Sequence, residues 1–442
     1  MVLLSFIHFM FVISAIYLSV KKIFKAKGSF LAFNLAGFCV LDSLGLAIAP
    51  YLPLEKIPYL PNAFFTINYI DVETYSRLLI AHWIFILVSM FAVLVESGWK
   101  NKNADMYQFK STYFINIAIL IFAIGLIAYI RYFIFGPGLE LLKGTRLFFS
   151  STIEAVAHRV EARNLLELRQ GAYMASIASV VLFPLSSLVF LKDKKQKGKY
   201  FMILCFILSM IYAIQTRQKA PVLAILIVYS LLIVQNLHAK HIRFQIKTVF
   251  LYFLIITIIG GLIFYMINFG TSPFASLVSV FARVFIIPSA TETNYFVTFP
   301  AIHDFRGIYK IINITLLSKF QLDYSDLTIY DVAYAATGDR FSSNASFIAV
   351  AWSGAGYFGV FIVSILFSLA LLVIDKKFIN IDNYFYLGTL ILTAPALFIL
   401  VSSSIFGYIS YGGLVIPMII IIIDRISRVK IKSNNINSMR GK

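Results

Sequence analysis

Eleven stretches of this chain stay apolar for roughly the twenty residues that a helix needs to cross the hydrocarbon core of a bilayer. They run over 2–20, 29–50, 77–96, 113–134, 173–191, 200–214, 220–237, 248–268, 346–374, 384–401 and 412–424. In lipid a segment must satisfy its own backbone, which leaves only helices and closed barrels. Stretches of this length predict an all-α polytopic membrane protein with eleven to twelve transmembrane helices. Composition excludes the soluble alternative, because 60% hydrophobic and 13% charged residues in 442 cannot clothe globular domains in polar surface. No polar stretch is long enough to fold separately, so residues 1–442 are expected to form a single transmembrane domain. Cys39 and Cys205 each sit inside an apolar run, which predicts neither a disulfide framework nor a cysteine metal site.

The first stretch has no basic residue before it, carries Lys21, Lys22, Lys25 and Lys27 after it, and shows no small-residue cleavage site. It is expected to remain in the membrane with its N-terminus outside. From that start the inner segments are 21–28, 97–112, 192–199, 238–247, 375–383 and the tail from 425, and they hold 23 Lys and Arg. The outer segments, 51–76, 135–172, 215–219 and 269–345, hold 13, and long loops weigh little in this bias. A net charge of +18 would suggest nucleic acid in a soluble chain. Here most of it is accounted for by orientation, and no nucleic-acid partner is expected.

The residue types are more informative than the totals. Inner segments carry 19 Lys and 4 Arg, whereas the outer ones with the adjoining Arg77 and Arg131 carry 5 Lys and 10 Arg. Either cation orients a span, but only the planar guanidinium grips phosphate or carboxylate at two points. The outer face is therefore expected to hold an anion.

Three outer segments supply candidates. In 135–172, Ser151 and Glu154 form a capping box, Ile153, Val156, Val160 and Leu168 keep helical spacing, and Gly171 can end the helix. An amphipathic outer helix is predicted there, with Arg159 and Arg163 on one face, Arg146 before it and Arg169 near its end. Between two apolar runs the short hairpin Gln215 to Lys219 brings Arg217 and Lys219 to the mouth of the bundle with no carboxylate nearby in sequence. The longest segment, 269–345, is expected to be a functional outer loop. Its Arg283, His303, Arg306 and Arg340 lie among Asp304, Asp323, Asp326, Asp331 and many tyrosines, Tyr295 included. That mixture suits sugars, which stack on rings and take directional hydrogen bonds. His303, the loop's one histidine, or failing it Asp304, is placed to act as a base beside a bound anion.

Other signals are weaker. His238 and His241 lack a third metal ligand nearby and read as part of the inner positive bias. No P-loop, paired-aspartate metal motif or Gly-rich nucleotide fingerprint occurs, so no cofactor is expected. Asp42 lies inside the second span, where an acid is costly and a functional candidate by default, unless a hydrogen bond with the adjacent Ser43 accounts for it.

The architecture of many spans, an arginine-rich outer segment and a long outer loop before the last helices resembles the bacterial oligosaccharide repeat-unit polymerases, the Wzy-type O-antigen polymerases. Locally the resemblance rests on TRQKAP at 216–221, on Arg283 followed by Ile287, Pro288 and Tyr295, and on SNASFIAVAWSGAGYFGVF, in which Gly356 and Gly359 open the helix after the long loop. It implies a bacterial inner-membrane glycosyltransferase of surface-polysaccharide or lipopolysaccharide biosynthesis, acting at the periplasmic face. The substrate implied is an undecaprenyl-pyrophosphate-linked oligosaccharide. Arg146, Arg159, Arg163, Arg217, Lys219, Arg283, Tyr295, Arg306 and Arg340 would then bind pyrophosphate or glycan, with no metal. Membrane lipids, a chain-length regulator and a flippase are the implied partners. An O-antigen ligase shares the donor and the outer arginines, and a flippase or transporter of the same glycans is the alternative outside enzymes.

Overall fold

The computed structural model describes residues 1–25, 29–52, 66–97, 181–193, 196–216, 272–307, 329–338, 344–378, 383–402, 405–410 and 412–425, with single positions between them. The chain clusters into two compact units, one of Met1–Asp105, Ser272–Ile379 and Ala394–Leu414, the other of Met106–Thr271, Asn380–Thr393 and Val415–Lys442. Among the described residues every regular element is helical: α1 (Val2–Lys25), α2 (Phe30–Phe38), α3 (Leu44–Ile48), α4 (Val72–Ser97), α5 (Phe183–Asp193), α6 (Gln196–Thr216), α7 (Pro273–Phe281), α8 (Ile287–Thr298), α9 (Ile329–Thr337), α10 (Phe347–Phe378), α11 (Asn383–Leu400) and α12 (Ile405–Ser410). π-helical turns at Cys39–Ser43 and Ala282–Ile286 splice α2 to α3 and α7 to α8.

Five helical stretches among the described residues are long and apolar enough to cross a membrane, namely Val2–Ile23, Phe30–Tyr51, Val72–Glu96, Pro273–Thr298 and Phe347–Phe378. Their surfaces agree with lipid on one side. On α1 the residues facing the unit, Ser5, His8, Val12, Ala15 and Ser19, recur at helical spacing, while Leu3, Phe6, Met10, Ile13 and Tyr17 are exposed. α4 and α10 likewise expose Leu87, Phe91 and Leu94, and Phe358, Leu366, Leu369 and Val373. Polar residues turn inward because only a protein interior can satisfy them.

Pro273–Thr298 departs from expectation, since the sequence placed it in the opening of the outer loop. Arg283, Glu292 and several hydroxyl residues lower its hydropathy. The helix hides most of them: Ser276, Ser279, Ser289, Thr291, Glu292, Thr293, Asn294 and Thr298 are buried. The spans expected at 113–134, 220–237 and 248–268, and the amphipathic helix within 135–172, lie outside the described residues.

The span expected at 346–374 is two helices. Ala355 (φ −156°, ψ 31°) and Gly356 (φ 59°, ψ −144°) break α10. A straight helix would separate positions 347 and 367 by about 30 Å, yet the Phe347 and Phe367 rings lie 5.6 Å apart, and the Phe85 ring touches both at 4.9 and 6.1 Å. The short helix 347–354 therefore folds back along the long one. Gly356 is required at the reversal, because its φ is positive and an added Cβ would stand 3.1 Å from Phe305 Cζ. The carbonyls that end the short helix are met from the segment after α8, with Arg306 N–H donating to Ser353 O at 2.9 Å and Gly307 N–H to Gly354 O at 2.8 Å. Trp352 Nε1 donates to Phe299 O at 3.0 Å.

At the far end of the long helix, Asp375 caps α2 from another element. Its Oδ1 accepts the Phe30 N–H at 2.7 Å and its Oδ2 the Leu31 N–H at 3.0 Å. Ser29 caps the same turn through the Ala32 N–H at 3.1 Å and shares its hydroxyl proton between Glu96 and Asp375, while Lys22 lies 3.6 Å from Glu96. In the second unit, α5 and α6 pack through Phe183 and Phe206, whose rings are 5.5 Å apart.

Candidate functional site

Three ionisable side chains converge inside the first unit. Asp42 comes from the π-helical turn after α2, His82 from α4 and Glu292 from α8; all three have 0% exposure. One ligating atom from each lies within 4.8 Å of the other two. His82 Nε2 stands 2.6 Å from Glu292 Oε2. The outer atoms of both groups are held by hydroxyls, Ser43 Oγ 2.8 Å from His82 Nδ1 and Ser346 Oγ against Glu292 Oε1.

Local backbone geometry makes this convergence possible. A π turn widens the helix by one residue and recurs at functional sites. Here it leaves the carbonyls of Asp42 and Ser43 to side-chain donors, Ser289 Oγ at 3.0 Å and His8 Nε2 at 2.8 Å. Gly45 admits the second π turn, since a Cβ there would run into Phe285 O and Ser289 Oγ. His8 is neutral by its partners alone. Trp83 Nε1 can only donate, and it reaches His8 Nδ1 at 3.0 Å, so the ring proton sits on Nε2.

The electrostatics are unbalanced. Two carboxyls share one imidazole, and no lysine or arginine forms an ion pair with any of the three among the described residues. Neither Asp42 oxygen has a hydrogen-bond donor among the described residues. Ser346 and the Glu292 carboxyl both come within reach of Asp42, but the one Ser346 proton has its closer contact to Glu292. The short helix 347–354 begins at this point, with Ser346 Oγ accepting the Ile348 N–H at 3.2 Å. Its positive end offsets about 0.3–1 kcal/mol of the negative charge, against several kcal/mol for each buried ion. Phe38, 5.3 Å from the His82 ring, helps to wall off water.

Of the residues singled out from the sequence, Asp42 joins this cluster, and the other described ones do not. Arg146, Arg159, Arg163, Arg217, Lys219 and Arg340 lie outside the described residues. Arg283 is exposed on the second π turn. Tyr295 is 2% exposed, inside the bundle rather than displayed for sugar stacking, because it shares the inward face of α8 with Glu292. His303, Asp304 and Arg306 share the segment that caps the α10 reversal. Asp304 is exposed and His303 half-buried, its ring 6.4 Å from Phe299. Arg306 is drawn into architecture: its guanidinium donates to Leu327 O, lies 5.9 Å over the Phe299 ring and reaches Tyr295 electrostatically. Ser43 bonds His82 rather than Asp42.

His82 and Glu292 escaped the sequence reading. Their signal was the one that marked Asp42, an ionisable side chain within an apolar helix. His82 falls inside the span predicted at 77–96, and Glu292 lay in a segment taken for a loop. Comparison with family models, with curated proteins and with solved structures returned no match for this chain.

Proposed function

We propose that the protein is a membrane-embedded glycosyltransferase that joins polyprenyl-pyrophosphate-linked oligosaccharide repeat units. The observation that carries this reading is the arginine bias of the segments that the sequence assigns to the outer side, 8 Arg to 5 Lys, or 10 to 5 with the adjoining Arg77 and Arg131, against 4 to 19 on the other. The reaction needs such groups. A sugar hydroxyl of one lipid-linked unit attacks the anomeric carbon of the growing chain, the bond from that carbon to the pyrophosphate oxygen breaks, and the hydroxyl proton passes to a base. Negative charge develops on the leaving pyrophosphate, where preorganised guanidiniums stabilise it. Arg146, Arg159, Arg163, Arg217, Lys219 and Arg340 are the proposed anion contacts, with exposed Asp304 or half-buried His303 as the base; Arg283, midway along Pro273–Thr298, is not among them. Tyr295 and Arg306 are assigned to structure.

Losing one charge-assisted phosphate contact costs about 1.5–3 kcal/mol, or roughly one to two orders of magnitude in rate. Arg217→Ala, expressed at normal level in a deletion strain, is expected to collapse the polysaccharide ladder to single repeats. An unchanged ladder removes Arg217 from the site. The deletion strain also separates this reading from a ligase: one repeat remains on the lipid core if a polymerase is lost, and none if a ligase is lost.

A second reading rests on the buried cluster. Broken helices that converge on intramembrane carboxylates are the architecture by which secondary transporters hold coupling ions, and on that reading the chain moves lipid-linked glycans. Loss of the ladder and of the single repeat alike in the deletion strain, with lipid-linked glycan stranded on the inner leaflet, would favour it.

A further inference from the structure

We propose that Asp42, His82 and Glu292 bind one divalent transition-metal ion of the zinc class. The inference is independent of the glycan reading. Its first ground is charge. The cluster carries two carboxyls at 0% exposure, with no lysine or arginine paired to them among the described residues. Buried charges persist only when paired or metal-bound. A proton on His82 compensates Glu292 and leaves Asp42, which comes within reach of Ser346 and the Glu292 carboxyl but makes no hydrogen bond of ordinary geometry to either. One divalent cation among two carboxylates and a neutral imidazole brings the net charge to zero.

Its second ground is how the ligands are held. Metal sites fix each ligand by tying its non-ligating atom to a neighbour. Here Ser43 Oγ, 2.8 Å from His82 Nδ1, sets the ring so that Nε2 faces the carboxyls, and Ser346 holds the outer oxygen of Glu292. The π turn that presents Asp42 is itself braced by Ser289 at 3.0 Å. Ligating atoms within 4.8 Å of one another approach the separation of about 3.3 Å that tetrahedral bonds of about 2.0–2.1 Å require. Binding would open the 2.6 Å contact between His82 and Glu292 and draw Asp42 inward. Three side chains offering one nitrogen and carboxylate oxygens suit zinc, whereas calcium takes six to eight oxygens.

Full-length protein, purified in detergent without added metal, is analysed by plasma mass spectrometry and by thermal unfolding with and without ZnCl2. About one zinc-class ion per chain is expected, with a higher unfolding midpoint in ZnCl2 after chelation. Asp42→Asn and His82→Ala should lose the ion, and His82→Cys, which restores a ligand, should keep it. Wild type with no metal and no midpoint shift overturns the proposal and leaves the cluster held by protons. So does full metal content in both Asp42→Asn and His82→Ala, which would place the ion elsewhere. If those variants fail to purify, the wild-type measurements decide. Metal content is read on purified protein and the polysaccharide ladder in cells, so failure of either reading leaves the other standing.

Discussion

Asp375 ties the long arm of α10 to the start of α2, and replacing it with alanine tests how far a carboxylate on one helix can stand in for the missing turn of another. Its oxygens accept the N–H groups of Phe30 at 2.7 Å and Leu31 at 3.0 Å, and the side chain is 2% exposed. Alanine leaves both donors buried without an acceptor, and each costs about 1–3 kcal/mol. Ser29 still has Glu96 at 2.8 Å, so its hydroxyl adds nothing to the loss. Removing a negative charge beside Glu96 also relieves some repulsion. The net expectation is a destabilisation of about 2–4 kcal/mol, a fall in thermal midpoint on the order of 2–4 °C for a chain of this length. Tryptophan fluorescence of the purified full-length protein reads it through its three tryptophans. Asp375→Asn keeps one acceptor oxygen and should lose about half as much. Wild-type stability in Asp375→Ala would refute the capping argument, and equal losses in both variants would show that the carboxylate's geometry is irrelevant.

Two further outcomes follow from local geometry. Gly356→Ala places a Cβ at positive φ and 3.1 Å from Phe305 Cζ, so it should destabilise by about 1–3 kcal/mol; Gly359→Ala in the same thermal assay is the comparison, being in regular helix. Asp71 caps α4 by accepting the Thr74 N–H at 2.6 Å, which holds its carboxyl below the ordinary value of 3.8. A depressed folded-state value means stability that is present above about pH 4 and is lost as pH falls through the folded-state value. Asp71→Asn, which keeps the cap without titrating, should flatten the midpoint between pH 5 and 3 relative to wild type, to about the extent the carboxylate matters.

Hydropathy by itself determined that the chain is a helical membrane protein, and it located α1, the α2–α3 segment and α4, because each is apolar over a contiguous length and that sum is local. It also marked Asp42, since an acid is costly in lipid whatever surrounds it. Only the tertiary structure decided what Asp42 meets. His82 and Glu292 lie 210 residues apart in the chain and 2.6 Å apart in space, and nothing in either neighbourhood encodes that contact. The same limit explains Pro273–Thr298 and Tyr295: a polar helix reads as a loop until partners bury its hydroxyls and carboxyl. It explains the α10 reversal as well, where glycine permits a turn but the packing of Phe347 on Phe367 makes it. An apolar residue's preference is settled by solvent, while a polar residue's depends on partners that distant sequence supplies.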